Sequence, residues 1–297
     1  MKPLEALTSD QLAFYRQQGY VILENRVPMS VIEAIRDEIA RFQEEARSMT
    51  ASNDRLDLED SHTRESPRVR RIKRPDRISE PVANLLNSDA ILAPARDLLG
   101  PNVRLQTTKL NMKSAGFGAA IEWHQDFAFY PHTNDDVLAI GVLIDDLLPE
   151  NGPLMVFPGS HRGPIYNHHA NGVFAGAIDL AVEGLDPAQA TALTGPAGSI
   201  TIHHGRIVHG SSLNRADYDR RLLFYEMMAA DAFPLMGGNT EFATIEEYDG
   251  LMLCGEPTLE PRLEAVPVRI PRPLPKTLGS IYEIQKAAAN RSFAQLQ

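Results

Sequence analysis

The chain carries a His-x-Asp pair at His124 and Asp126, and a histidine and an arginine follow far downstream at His209 and Arg220. Side chains two residues apart on an extended segment point to the same side, so His124 and Asp126 can occupy neighbouring positions around one metal ion. A distant histidine would complete a set of two imidazoles and one carboxylate. This set is the facial triad of non-haem Fe(II) oxygenases, which leaves three metal positions open. The planar fork of an arginine matches a carboxylate, which suggests a carboxylate-bearing co-substrate.

The identity of the distant histidine is open on composition alone. Segment 198–211 contains His203, His204 and His209, and any of the three could be the ligand. We predict that His203 and His204 lie where one strand turns into the next. His209 is then expected at the end of the following apolar strand, which favours it only slightly.

The arginine is equally ambiguous, because Arg220 and Arg221 are adjacent at the start of a predicted strand. Neighbours on a strand face opposite sides, so only one of them can point into a barrel. If Arg220 points inward, Glu226 shares its face and would need a partner once buried. Strand parity therefore leaves both arginines as candidates.

The elements that must position these residues are predicted to be short strands preceded by helices. Thr8 and Gln11 have the spacing of a capping box, and Gly19 fits the end of that first helix. A strand follows at 20–23, an amphipathic helix from Ser30 to about residue 46, and a further helical stretch at 79–99. Eight more strands, separated by turn residues, are predicted at 103–113, 121–127, 137–145, 153–157, 199–203, 206–210, 221–229 and 265–270.

This pattern predicts a mainly β fold with flanking helices, built on a double-stranded β-helix core of the jelly-roll, cupin-like kind. Long irregular segments inside a compact domain are typical of lids and binding loops. Two such segments are predicted, at 160–196 and 231–262. The second is also a candidate dimer contact, so we consider a homodimer. The expected organisation is a single domain over 1–297, with a mostly helical N-terminal region at 1–100 packing on the barrel, a jelly-roll core at 101–272 with insertions at 160–196 and 231–262, and a C-terminal helix in 273–297.

Composition narrows the class of protein. The 297 residues carry a formal net charge of −10, which argues against nucleic acid and anionic membranes as partners. The single cysteine, Cys254, excludes an internal disulfide and a cysteine-rich zinc site. No secretory signal and no apolar stretch long enough to span a membrane are recognised, so we expect a cytoplasmic protein.

One basic cluster, residues 68–77, stands out in this acidic chain. It is interpreted in two ways: as a solvated segment with salt bridges, or as an anion-facing strand near the active site. The second interpretation would favour an anionic small-molecule substrate.

Several motifs together resemble the phytanoyl-CoA dioxygenase family of Fe(II)- and 2-oxoglutarate-dependent oxygenases. They are the His-Gln-Asp at 124–126, the stretch NGPLMVFPGSH at 151–161, and the Val-His-Gly-Ser at 208–211 followed by Arg220. The similar blocks run from about residue 8 to residue 229, and the remainder matches much less clearly.

The resemblance implies the ligands of the metal and of the co-substrate. His124, Asp126 and His209 would bind Fe(II). Arg220 would pair with the distal carboxylate of 2-oxoglutarate, with Ser211 as a second donor.

Further roles are implied around this centre. Lys73 lies where the family often has a lysine near the co-substrate. The residues placed on the substrate side are Gln125, Phe127, Phe129 and Tyr130.

The implied reaction uses Fe(II), 2-oxoglutarate and O2 to hydroxylate a small organic substrate, with release of succinate and CO2. The carboxylate of Asp126 argues against halogenation, because related halogenating enzymes have a small residue there. Two alternatives belong to other classes. A cupin-like metalloenzyme such as an isomerase would not need Arg220, and a non-catalytic binding module should have lost a metal ligand.

Overall fold

The computed structural model describes residues 3–116, 118–236, 242–276, 280–286 and 292–293. The helices are α1 (Ser9–Gln18), α2 (Met29–Ala46), α3 (Glu80–Leu86), α4 (Asp89–Leu99), α5 (Leu180–Glu183), α6 (Ile245–Asp249) and α7 (Ile281–Lys286). The strands are β1 (Tyr20–Leu23), β2 (Leu56–Leu58), β3 (Val69–Lys73), β4 (Val103–Lys113), β5 (Ile121–His124), β6 (Val137–Leu143), β7 (Leu154–Val156), β8 (His169–Ala170), β9 (Val173–Phe174), β10 (Thr191–Leu193), β11 (Ile200–His204), β12 (His209–Ser211), β13 (Arg220–Ala229) and β14 (Met252–Cys254).

Two antiparallel sheets form the jelly-roll core. The larger sheet has the order β1-β11-β6-β13-β4-β3-β2, and β14 also pairs with β4. The smaller sheet has the order β10-β7-β12-β5. A cavity lined by residues of both sheets lies between them. None of the described helices is long and apolar enough to cross a membrane.

Alternation along β13 separates the cavity from the main hydrophobic core. Leu222 and Phe224 line the cavity, whereas Leu223 and Tyr225 belong to the large buried cluster on the other face. That cluster includes the apolar stripe of α2, for example Ile35, so the predicted amphipathic helix covers the outer face of the larger sheet. The capping box of α1, between Thr8 and Gln11, is present as predicted from the spacing.

Several elements differ from the sequence-based expectations. Segment 265–270 is not a strand, since Pro267 removes a backbone donor from the stretch. Strand β5 ends at His124, and strand β12 begins rather than ends at His209. The N-terminal region 1–100 does more than pack helices on the barrel, because it contributes β1, β2 and β3 to the larger sheet.

The two insertions also contain regular structure. Insertion 160–196 holds β8, β9, α5 and β10, and β10 pairs with β7 of the smaller sheet. Insertion 231–262 holds α6 and β14. The predicted C-terminal helix corresponds to the short α7; the rest of 273–297 lies partly outside the described residues.

Candidate active site

The residues His124, Asp126 and His209 converge at one edge of the smaller sheet. His124 ends β5, and the chain stays extended at Gln125 before Asp126 opens a short 3-10 turn. His209 begins β12 and lies directly opposite His124 in the register of the two strands. The three side chains are buried, and one potential ligand atom from each lies within 4.8 Å of the others. Two imidazole nitrogens and one carboxylate oxygen are the donor set that suits Fe(II).

Hydrogen bonds fix which ring nitrogen each histidine presents. Nδ1 of His124 lies 2.8 Å from the carbonyl of Glu122, and Nδ1 of His209 lies 3.0 Å from the carbonyl of Ile207. A carbonyl only accepts, so Nδ1 donates in both rings and Nε2 is the nitrogen directed to the metal position. Both Nε2 atoms face Asp126, at 3.6 Å and 3.8 Å from its Oδ1. The site thus presents two imidazoles with the orientation that a metal ligand requires.

Electrostatics favour the protonation states that bind a cation. Burial opposes the charge of Asp126, but the neighbouring His209, His124 and His203 hold its pKa well below the ordinary value. Burial, together with the nearby His124, lowers the pKa of His209 well below its ordinary value. At neutral pH the site therefore holds a carboxylate and an unprotonated imidazole, the forms that coordinate metals.

Arg220, Ser211 and Lys113 form the second half of the site. Arg220 points into the cavity, and one of its Nη atoms donates a 3.1 Å hydrogen bond to the carbonyl of Gly152. Nε of Arg220 is buried and has no hydrogen-bond partner in the described part of the chain. The ammonium of Lys113 donates to Oγ of Ser211 at 2.8 Å and also to the Ser211 and Ser212 carbonyls. Lys113 thus holds Ser211 in place beside an arginine whose Nε–H donor is free within the described residues.

Arg221 lies on the opposite face of β13. Its Nε donates a 2.8 Å hydrogen bond to Asp145, outside the cavity. The ambiguity between the adjacent arginines is thereby resolved in favour of Arg220 as the residue that faces the cavity.

A polar group of three residues lies beside the triad. Glu226 is buried on the cavity face of β13, where the hydroxyl of Tyr130 donates to it at 3.0 Å and the ammonium of Lys109 forms an ion pair with it. Burial opposes the charge of Lys109, but Glu226 and Asp126 raise its pKa above the ordinary value. Glu226 therefore has the partners that its inward orientation demanded.

These groups share a cavity of about 350 Å³ between the two sheets. Ser280, Ile281 and Tyr282, near the end of the chain, complete its wall. Arg70 holds this segment, since it donates to Oγ of Ser280 at 3.2 Å and to Glu283 at 3.2 Å, and its guanidinium stacks over the Tyr282 ring. Residues 280–282 thus contribute directly to the cavity.

The structure brings some predicted substrate residues into this cavity and leaves others out. Phe129 and Tyr130 line it, and the Phe129 ring packs edge-on against His124 at 5.8 Å between centroids. Gln125 points away, because its amide bonds the carbonyls of Pro164 and Arg206. Phe127 also lies outside the lining, in a separate apolar cluster.

Lys73 does not reach the cavity either, so its predicted role near the co-substrate does not fit the structure. Its ammonium lies 2.7 Å from Asp57 and 2.7 Å from the carbonyl of Asn53. Lys73 faces Lys109 in the β3–β4 register, but its long side chain turns toward Asp57 on the neighbouring edge strand β2. Of the basic cluster 68–77, Arg70 and Arg71 line the cavity.

Sequence reasoning missed the polar residues of β4. Lys109, Asn111 and Lys113 recur at every second position and all line the cavity. Period-two spacing of polar residues within a predicted strand was a signal for an inward polar face. The C-terminal lining residues had no comparable signal, since their position depends on tertiary contacts.

Comparisons with known proteins agree with this geometry. The family described as Phytanoyl-CoA dioxygenase (PhyH) matches residues 15–222. A probable alpha-ketoglutarate-dependent hypophosphite dioxygenase of Stutzerimonas stutzeri is 34% identical over 290 residues, which is 96% of this chain and 99% of that protein. An ectoine dioxygenase of Nocardia farcinica is 29% identical over 234 residues, 73% of this chain and 76% of that protein.

Among solved structures, EctD from S. alaskensis with bound Fe aligns with a TM-score of 0.66 and 24% identity, covering 88% of each chain. An L-proline trans-4-hydroxylase of Streptomyces griseoviridis is 35% identical over 164 residues, 48% of this chain and 61% of that protein. The structural likeness supports the jelly-roll fold. The family match, residues 15–222, includes His124, Asp126 and His209 as well as Arg220.

Proposed function

Because this chain belongs to the phytanoyl-CoA dioxygenase family of Fe(II)- and 2-oxoglutarate-dependent dioxygenases, we propose that it oxidises a small anionic substrate in the cavity between its two sheets. His124, Asp126 and His209 hold the iron. Bound iron, with 2-oxoglutarate and O2, supplies the oxidising chemistry, which hydroxylates the substrate and releases succinate and CO2.

The chain's own residues bind and orient the reactants. Arg220 takes the distal carboxylate of 2-oxoglutarate through its guanidinium, whose Nε has no partner in the described residues, and Ser211, held by Lys113, offers a further hydroxyl. Phe129 and Tyr130 line the cavity and form the substrate wall. The apolar rings exclude water from the reacting atoms.

The proposal that the substrate is anionic rests on the charge of the cavity wall. The whole chain has a formal net charge of −10, yet cationic side chains outnumber carboxylates in the cavity wall. A cleft in which one sign of charge predominates favours ligands of the opposite sign. The cations are Arg70, Arg71, Lys109, Lys113 and Arg220, and the carboxylates are Asp126 and Glu226.

Hypophosphite is the first substrate to test, because the relative named for it matches this chain over nearly its whole length. Hydroxylation of one P–H bond converts hypophosphite to phosphite; one oxygen atom of O2 enters the product and the other enters succinate. Iron-loaded protein with 2-oxoglutarate and hypophosphite should form phosphite and succinate in equal amounts, measured by phosphorus NMR and chromatography. Consumption of 2-oxoglutarate that no small anion stimulates would contradict the proposal.

A second candidate is a zwitterionic amino acid or a related compound. Glu226 lies beside Lys109, so the same wall could receive both an ammonium and a carboxylate. Relatives named for L-proline and ectoine act on compounds of this kind. Including L-proline and ectoine in the substrate panel separates the candidates, because only the true substrate should be converted to a product with one added oxygen atom.

The homodimer also belongs to the proposal. Leu235, Ile245 and Leu259, in insertion 231–262, are large apolar residues that the single chain leaves exposed. Light scattering coupled to gel filtration should give twice the chain mass of 32.8 kDa. A monomeric mass would overturn this element of the proposal.

A further inference from the structure

His203 is a buried histidine beside the triad, and the proposed reaction gives it no role. It lies on β11 in the cavity wall. Neither of its ring nitrogens has a hydrogen-bond partner among residues that the structure describes. Buried polar groups are normally paired, so an unpaired one in a cavity wall calls for an explanation.

The two carboxylate oxygens of Asp126 face different histidines. Oδ1 lies 3.6 Å from Nε2 of His124 and 3.8 Å from Nε2 of His209. Oδ2 lies 3.5 Å from Nε2 of His203. Oδ1 is therefore the oxygen nearest the other two ligand nitrogens, and Oδ2 is directed to His203.

We propose that His203 is a positioning residue that donates an Nε2–H hydrogen bond to Oδ2 of Asp126 and keeps this carboxylate a one-oxygen ligand. The observed separation is slightly longer than an ordinary hydrogen bond, and a shift of about 0.5 Å in either side chain closes it. A carboxylate bound through both oxygens would take one of the three positions that 2-oxoglutarate and O2 need. The inference rests on the proposed iron centre.

Packing supports this role over that of a fourth ligand. In the described chain, ligand atoms of three side chains lie within 4.8 Å of one another, and these are His124, Asp126 and His209. His203 is not part of this group. The His203 ring lies 4.7 Å from the His209 ring and 6.1 Å from the Phe224 ring, between centroids. These contacts hold the imidazole in place with one edge toward Asp126.

The experiment compares His203→Leu, which removes the donor, with His203→Gln, which retains an N–H donor on a side chain of similar reach. The Fe(II) dissociation constant is measured by anaerobic titration, and the visible charge-transfer band of the Fe(II)–2-oxoglutarate complex is recorded. We expect the Leu variant to bind Fe(II) roughly 10- to 100-fold more weakly and to show an altered band. The Gln variant should keep most of the affinity and the wild-type band.

The melting temperature of the metal-free protein separates positioning from a merely structural role. Leu removes an unpaired buried polar group, so the metal-free variant should melt at or above the wild-type temperature. His204→Gln is the matched control, because the His204 ring accepts a 3.0 Å hydrogen bond from the Arg206 amide and is outside the cavity wall. It should leave Fe(II) affinity unchanged.

Two results would overturn the inference. One is wild-type Fe(II) affinity in His203→Leu, and the other is a weaker affinity that the Gln variant shares fully while both variants melt at lower temperature without metal. Failure of the wild-type protein to bind Fe(II) would instead contradict the proposed function itself.

Discussion

Arg220 lies directly opposite Lys113 in the register of β13 and β4, and both cations are buried in the cavity wall. Their hydrogen bonds go to neutral oxygens, from Lys113 to Ser211 and Ser212 and from Arg220 to Gly152. Burial lowers the pKa of Arg220 to about 10 and, together with Arg220, lowers the pKa of Lys113 well below its ordinary value. Among the residues that the structure describes, neither cation forms an ion pair with a carboxylate. Two such buried charges are costly, and an anionic co-substrate relieves that cost.

Removing the guanidinium should therefore impair 2-oxoglutarate binding. We expect Arg220→Met to raise the KM for 2-oxoglutarate roughly 10- to 150-fold, since hydrogen bonds to charged groups contribute about 1.5–3 kcal/mol. The measurement is succinate formation against 2-oxoglutarate concentration. Arg221→Met is the control and should leave this KM nearly unchanged, because Arg221 pairs with Asp145 outside the cavity. Equal effects of the two substitutions would contradict the assignment.

Loss of any one ligand should abolish the iron centre. We expect His124→Ala, Asp126→Ala and His209→Ala each to lose stoichiometric Fe(II) binding and to reduce turnover to background, because each residue supplies one of three ligands. Iron content after anaerobic reconstitution and gel filtration tests this directly. A variant that retains one Fe(II) per chain would exclude the altered residue as a ligand.

The sequence was most informative where the chemistry is local in the chain. His124 and Asp126 lie on one extended segment, so their shared orientation followed from strand geometry alone. His209 and Arg220 needed a motif in addition, because their neighbours His204 and Arg221 offer the same functional groups. The structure distinguishes these neighbours by their position on the strands. His209 lies opposite His124 on the adjacent strand, and this pairing cannot be inferred from residue 209 alone.

The expectations that failed depended on tertiary contacts. Gln125 lies between two predicted ligands, yet its side-chain amide donates hydrogen bonds to the backbone carbonyls of Pro164 and Arg206. Lys73 lies in register with Lys109 but is drawn to Asp57 at the sheet edge. Tyr282 enters the cavity through a contact with Arg70, more than two hundred residues away in the chain. Such partners are set by the assembled fold and leave no periodic pattern in the sequence.

The neighbouring lysines also provide a matched test of substrate binding. Lys109 lines the cavity, whereas Lys73 lies opposite it on β3 and outside the lining. We expect Lys109→Met to raise the KM for the substrate anion about 10-fold or more, as the loss of a charge-assisted hydrogen bond requires, with little change in the KM for 2-oxoglutarate. Lys73→Met should change neither value by a comparable factor. A larger effect of Lys73→Met than of Lys109→Met on either KM would mean that Lys73, and not Lys109, contacts the ligand.

The pH dependence of stability should reveal a histidine that is neutral in the folded protein. Nδ1 of His168 donates to the carbonyl of Tyr166 at 2.9 Å, and Nε2 accepts from the amide of Gln125 at 2.9 Å. Burial lowers the pKa of His168 from 6.5 to about 3. Protonation would break the bond to the Gln125 amide, which is adjacent to both His124 and Asp126.

Because the folded state disfavours protonated His168, the unfolded chain binds more protons below pH 6.5. The free energy of unfolding should then fall as the pH drops from 6.5 toward 3, by about 1.4 kcal/mol per pH unit for this one group. Buried His132 and His204, whose pKa values burial lowers to about 4 and about 3, act in the same direction. Urea unfolding of the metal-free protein at several pH values between 7.5 and 4.5 measures the combined effect of these histidines on the free energy of unfolding.

The His168→Gln variant lacks the proton that the unfolded wild-type chain binds at His168. Between pH 6.5 and 4.5 its free energy of unfolding should therefore fall by roughly 2–3 kcal/mol less than that of the wild type. Parallel curves for the two proteins would show that His168 takes up its proton in the folded state.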